Sequence, residues 1–405
     1  EDGLLDVERS RGLGDVYKRQ ILVSLLKDEL QASVIFRVFN DGVAFKYIIP
    51  NQDNILSYDI IDEKTEFNLS PDDKAWWIPA FSYRRYEFLH AFSSVDSISK
   101  KYFSENVEDI SYDSHGIDAA HTPFTLKKKN GFYVSIHEAN LINYSSMQIV
   151  GTGSKKLHCD LAPWSNGDKV RTVVPFKTPW RTIKITNNAK DLISSNITLN
   201  SNPPNKLGDV SWVKPSKYIG IWWGMIIGKW TWEESFRHGA TIERSKKYID
   251  FASENGFDEV LVEGTSAGFT GLFPGDTVTT SYTKTTSDFD LFEVQDYAKQ
   301  KGVSLQAYHE TSASTLNYMA QIEDAFSLMK EVGMQKAKIG HVGTMMDKVE
   351  YHYGQHAVNY YRKVLEIASK YNIAVNFHEP IKDTGERRTY PNILTREGAR
   401  GMEYN

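Results

Sequence analysis

The hydrophobic rhythm of the chain changes once, near Lys217. Before that point apolar and polar residues alternate in short runs. After it, stripes at helical spacing take turns with brief, wholly apolar runs. Alternation by two predicts half-buried strands, and a repeat of about 3.6 predicts amphipathic helices. From Ile21 to about Ser211, ASVIFRVFNDGVAFKYII reads as a hairpin around an Asn-Asp-Gly turn. KAWWIPAF, GFYVSIHEA, WRTIKIT and SNITLN read as further short strands. Short strands at close spacing, with no helical run of length, predict a β-sandwich.

Beyond Lys217, YIGIWW (Tyr218 to Trp223) predicts a strand covered on both faces. A helix is predicted from Thr241 to Glu254, with Ile242, Tyr248, Ile249 and Ala252 on one stripe and Gly256 just past its end. Strands are then predicted from Glu259 to Glu263, Val303 to Tyr308, Ala337 to His341 and Ile373 to His378. The helices between them run from about Leu291 to Lys301, Leu316 to Glu331 and Gln355 to Tyr371. Met319, Ile322, Phe326 and Met329 line one side of the second of these. Right-handed crossovers make this alternation one parallel sheet of roughly five or six strands, where a closed barrel has about eight. The expected fold is an N-terminal β-sandwich (21–211) followed by a (β/α)8 TIM-type barrel (212–405), incomplete at the C-terminus. Residues 1–20 lack either period, and RGLGDVYKRQ resembles translated adapter read-through. They are set aside as non-native. The native start and any export signal would then lie outside this sequence.

Five of the apolar runs end in an acid or a histidine: Glu263, Glu310, His341, Glu379 and Glu403. Strand C-terminal ends line the mouth of a β/α barrel, so four glutamates are expected to converge there. Buried acids are expensive unless they bind a cation or work on protons. Each acid taken singly reads equally well as a helix cap or a solvated loop acid. Two facing carboxylates are what glycoside hydrolysis uses, and additional ones suit Ca²⁺. His309 and His378 each precede an acid, and alternation points the two members of such a pair apart unless the chain turns there. The HE pairs lack the spacing of a zinc protease helix, and no nucleophile elbow, phosphate loop or dinucleotide fingerprint occurs.

Composition narrows the field further. A net charge of -5 over 405 residues gives no reason to expect nucleic acid. The single cysteine, Cys159, excludes an internal disulfide and a cysteine metal cluster. No apolar run is long enough to span a bilayer. Aromatics make up 13% of the chain, which suits sugar faces and core filling alike.

KAWWIPAF, SIHEANLINYSSM, TPWRTI, WVKPSKYIGIWW, HGAT, YIDFASENGFDEVLVEG, HETSAS, NYMAQIEDAF, YHYGQ, NFHEPIKDTGERRTYPN and EGARGMEYN follow one another from about Lys74 to the end. In these stretches the chain resembles glycoside hydrolase family 97, bacterial α-glucosidases and α-galactosidases. The resemblance implies that Glu403 is the general acid and that Glu310 and Glu379 position and deprotonate water. It implies Ca²⁺ ligands at Glu379 and Glu397, with Glu87 as the third and Glu138 as its alternative. Trp222, Trp223, Glu263, His309, His352 and His378 are implied to bind substrate, although the two tryptophans equally suit burial in the barrel. The family's retaining branch carries an aspartate where AKIGHVG has Gly340 or His341. The implied activity is therefore Ca²⁺-dependent inverting hydrolysis of terminal α-glucosidic bonds in α-gluco-oligosaccharides. A retaining α-galactosidase and a non-catalytic glycan-binding relative are the alternatives. Thr265 and Ser266 replace the family's usual Trp-Asn, and Gly224 stands where an acid is commoner, which bears on glucose preference. Periplasmic export and a C-terminal β-domain beyond the last barrel strands are also implied for the parent.

Overall fold

The computed structural model describes residues 19–27, 30–53, 55–109, 116–151, 156–269, 271–272 and 278–404. Its N-terminal region is rich in antiparallel sheet. The expected hairpin forms, with Leu30–Phe39 paired to Gly42–Ile49 and Phe39 opposite Gly42. Gly42 sits at φ 153°, and a Cβ there would overlap the Ile183 carbonyl oxygen, so only glycine fits the turn. Arg19–Lys27 adds to one side of the hairpin. Trp180–Thr186, Tyr133–Ala139, Phe124–Lys127, Lys74–Trp77 and Ala91–Ser94 extend the other. Residues 1–18 of the stretch set aside lie outside the described residues, and the first strand begins inside it, at Arg19.

A four-stranded sheet of Glu66–Asn68, Lys156–Leu161, Met147–Val150 and Ala119–His121 shares its core with the larger one. Phe67, Met147, Ile149 and Leu157 meet Trp77, Phe124, Leu126 and Ile136 there. Each such side chain removed from water contributes roughly 1.5–3 kcal/mol. The large sheet buries Phe39, Ala44, Ala139 and Trp180 on its other side, against Ile197. SNITLN accordingly departs from expectation, because Ile197–Asn200 is a helical turn. That sheet face needed a cover, and burial of Ile197 outweighed strand propensity.

Among the described residues, the C-terminal region holds six parallel strands in chain order. They are β1 (Tyr218–Gly220), β2 (Glu259–Leu261), β3 (Ser304–Glu310), β4 (Lys336–Gly340), β5 (Ala374–His378) and β6 (Ile393–Glu397). Between them lie α1 (Trp222–Ile226), α2 (Ile242–Glu254), α3 (Leu291–Gln300), α4 (Thr315–Met319), α5 (Ile322–Val332) and α6 (Gln355–Lys370). Thr241 and Asp290 cap α2 and α3, accepting from the Arg244 and Glu293 amides. Ile249, Val294, Phe326, Met329, Val364 and Leu365 on the helices pack on Val260, Leu305, Ala337, Ile339 and Val375 of the sheet.

Three expectations are corrected here. The strand expected from Tyr218 to Trp223 stops at Gly220, the last residue with a ladder partner on β2, and Trp222 and Trp223 begin a short helix instead. The helix expected from Leu316 to Glu331 is two, α4 and α5, separated at Ala320 and Gln321. The final strand is Ile393–Glu397 and not the run before Glu403, which lies on a 3₁₀ turn, Met402–Tyr404. Arg396 disguised that strand. Its charge interrupts the apolar pattern, yet it is enclosed by Glu386 and Asp383 at 2.9 and 3.2 Å.

Candidate active site

Side chains alternate along a strand. Tyr308, Glu310, Lys338, Gly340, Asn376 and His378 therefore share one face of the parallel sheet, and His309, Ile339 and Phe377 the other. On the first face Tyr308 Oη donates to Glu310 Oε2 at 2.9 Å. The amides of Ser312 and Val342 donate to Glu310 Oε1 at 2.7 and 3.1 Å. The Glu310 carboxylate lies directly over Gly340, where any Cβ would collide with it. Glu379 follows β5 at φ 49°, a left-handed conformation that turns it to the side of His378. His378 Nε2 then stands 3.3 Å from Glu379 Oε1 and 3.6 Å from Glu397 Oε1. The His341 amide donates to Glu379 Oε2 at 2.9 Å. Ligating atoms of Glu310, His378 and Glu379 all lie within 4.8 Å of one another. Lys338 Nζ is held between Glu397 at 3.0 Å and Glu263 at 4.0 Å.

Burial raises the pKa of Glu310 against its three donors. Burial, and then the charge of Glu310, push Glu379 well above the carboxylate range. Two acids this close hold one negative charge between them far more readily than two. Burial lifts Glu263 to about 7 despite Lys338. Burial would also raise Glu397, but His378 and Lys338 hold it below its ordinary value. His378 is lowered to about 4 by burial, so its ring is neutral near pH 7.

Glu87 enters from the N-terminal region. Burial raises its pKa, it accepts from Tyr404 Oη at 3.2 Å, and it feels the charges of Glu403 and Glu397. Glu379 in turn feels Glu87. Glu403 stands on the Glu87 side, where Glu87 feels its charge, with its carboxylate folded back over Gly401. His352 is fully buried beside the backbone of Gly343 and Glu379. Glu138 stands apart. Arg181 holds its Oε2 at 2.6 Å, and Lys382 at 2.7 Å and the Met147 amide at 2.9 Å hold its Oε1.

Two expected substrate contacts are not at the cluster. His309 faces the helices, bonded through Nδ1 to Tyr318 Oη at 2.9 Å and stacked on Phe326, because alternation sends it opposite Glu310. Trp223 is half exposed and lines a different hollow with Trp230, Thr241 and Arg244, because the chain has already turned into α1. Trp222 packs on Trp232, 5.0 Å between ring centroids, and Trp232 stands beside Glu263. Tyr308 and Lys338 escaped the sequence reading. Both sit two residues before a residue it singled out, Glu310 and Gly340, so the period of two could have found them.

Together these features define a β/α protein with a carboxylate cluster at the ends of its parallel strands, backed by a sheet-rich N-terminal region. Residues 222–399 match the family model of glycoside hydrolase 97, and residues 13–204 match that of the glycosyl-hydrolase 97 N-terminal region. The chain belongs to glycoside hydrolase family 97. A solved family 97 enzyme from Pseudoalteromonas sp. strain K8, in complex with acarbose, is 42% identical with a TM-score of 0.87. That match covers 96% of this chain and 58% of the other. A retaining α-galactosidase of Bacteroides thetaiotaomicron is 25% identical over 402 residues, 92% of this chain and 54% of the relative. A β-arabinopyranosidase structure, 19% identical over 95% of this chain and 58% of that one, shares the fold with a TM-score of 0.69. The chain thus spans a little over half the length of these relatives.

Proposed function

We propose that the protein is a glycosidase that hydrolyses terminal α-glucosidic bonds of α-gluco-oligosaccharides with inversion, its six parallel strands forming part of a β/α barrel. The observation that carries this reading is the space over Gly340, which the Glu310 carboxylate fills. A carboxylate on residue 340 and the present position of Glu310 exclude each other. Attack on the sugar then falls to water, held by Glu310 and Glu379, one of which takes its proton. Glu403 protonates the departing glycosidic oxygen as the bond from that oxygen to the anomeric carbon breaks. Family 97 enzyme structures from Pseudoalteromonas with acarbose and with panose, 42% and 41% identical, support an α-linked oligosaccharide as substrate.

For Ca²⁺, Glu379 is the implied ligand that lies in the close group, its ligating atoms within 4.8 Å of those of Glu310 and His378. The charges of Glu310 and Glu87 both repel that of Glu379, Glu397 adjoins through His378 with its Oε2 paired to Lys338, and the oxygens of Glu138 are taken by Arg181 and Lys382. When bound, Ca²⁺ supplies positive charge that offsets this repulsion and favours ionised carboxylates.

Proton NMR of the first sugar released from an aryl α-glucoside is expected to show the β-anomer. The curated relatives favour a second reading, a retaining α-galactosidase, and the closeness of Glu310 and Glu379 would make them nucleophile and acid. Release of the α-anomer, from an α-galactoside in preference to an α-glucoside, would establish it at the expense of the first.

A further inference from the structure

Glu379 is three residues from Lys382, and Lys382 does not remain with the parallel sheet. It enters the N-terminal sheet region and is buried there. Its ammonium pairs with Glu138 Oε1 at 2.7 Å and donates to Thr122 Oγ1 and the Met147 carbonyl. Glu138 lies on the strand Tyr133–Ala139 and pairs through its other oxygen with Arg181 at 2.6 Å. Arg181 Nε in turn reaches Glu63 Oε1 at 2.9 Å. Two acids and two bases make this buried group neutral. The next residues of the loop are fastened to the same region. The Asp383 carbonyl accepts from His137 Nε2 at 2.8 Å, and the Thr384 carbonyl from the Asn140 amide at 3.0 Å and Asn202 Nδ2 at 2.7 Å. On the other side of the loop, Glu379 keeps a left-handed backbone that β5 does not impose.

We propose that Glu138 and Lys382 are positioning residues for the carboxylate site: their buried ion pair anchors the loop after β5 and thereby fixes where Glu379 presents its carboxylate. This rests on the role given to Glu379 above. The N-terminal region then acts in the reaction through the loop, in addition to supplying Glu87. Neither residue touches the reacting atoms.

The test compares Lys382→Met, Glu138→Gln, the double variant and Glu379→Gln in the active enzyme, by kcat, KM and melting temperature. Each single variant leaves one uncompensated buried charge and lowers the melting temperature. The double variant restores neutrality, with Arg181 still paired to Glu63, and is expected to melt near the parent. Its loop keeps the Asp383 and Thr384 contacts but loses the fastening nearest Glu379, so kcat is expected to stay about 100-fold down with KM within about twofold. A purely structural pair would instead return kcat to the parent value along with the melting temperature. A double variant with parental kcat, while Glu379→Gln is inactive, overturns the anchoring role and leaves the proposed function standing. An active Glu379→Gln overturns the function assigned to Glu379 and the anchoring role with it.

Discussion

Gly340 and Glu310 occupy one space between them, so the smallest side chain at 340 decides what the larger one at 310 can do. Gly340→Ala would force the Glu310 carboxylate off the Ser312 and Val342 amides. With water misplaced by about 1 Å, kcat is expected to fall about 100-fold while the chain still folds. Steady-state kinetics beside a thermal melt would check this, and unchanged kcat would refute the water-holding role of Glu310. The acids of the site were legible because each closes an apolar run, where a charge is conspicuous. Lys338 was not, because a lysine two places before a strand end looks like ordinary alternation until Glu263 and Glu397 are seen on either side of it. The pairing of His378 with Glu379 depended on one positive φ, which no spacing announces.

Elements followed their patterns wherever local preference and burial agreed. Asp290 caps α3 by accepting from the Glu293 amide, so Asp290→Ala is expected to cost about 1 kcal/mol in urea unfolding and to leave kcat unchanged. Phe326 on α5 is fully buried between His309 and Tyr371. Phe326→Ala is expected to cost about 3–5 kcal/mol by the same measurement, and a loss below 1 kcal/mol would mean that the helix layer is not packed as described. Elements departed from their patterns where a neighbour was missing or demanding. YIGIWW has the composition of a strand throughout, but a ladder needs a partner, and β2 supplies one only as far as Gly220. SNITLN alternates like a strand, but the exposed sheet face beside it drew Ile197 in as a cover.

Across the whole molecule, the buried group of Glu63, Arg181, Glu138 and Lys382 joins the two regions and makes stability depend on pH. Burial would raise both acids, but Arg181 and Lys382 outweigh it and hold Glu63 and Glu138 below their ordinary 4.5. A depressed folded pKa means that the unfolded chain binds more protons in that window, so stability rises with pH there. The stabilisation is complete above pH 4.5 and is lost as pH falls through the folded values. Urea midpoints from pH 7 down to pH 3 are expected to drop below 4.5, and to drop less in the Glu138→Gln, Lys382→Met double variant. Equal slopes would remove this group as the source. At the same scale, EDTA is expected to lower activity and added Ca²⁺ to restore it, with calorimetry detecting one site that Glu397→Gln weakens. Activity and calorimetric heat both indifferent to the metal would discard the calcium assignment.

The order of amino acids alone determined the change from antiparallel strands to parallel β/α units, and it marked Glu263, Glu310 and Glu379 as acids at strand ends. Periodicity is a local property, and the sequence carries it openly. Tertiary structure alone decided which acids face one another, that Trp223 turns away, and that Glu138 serves Arg181 and Lys382. These outcomes depend on contacts between residues far apart in the chain, such as Glu138 with Lys382 and Glu87 with Tyr404, which no local pattern encodes.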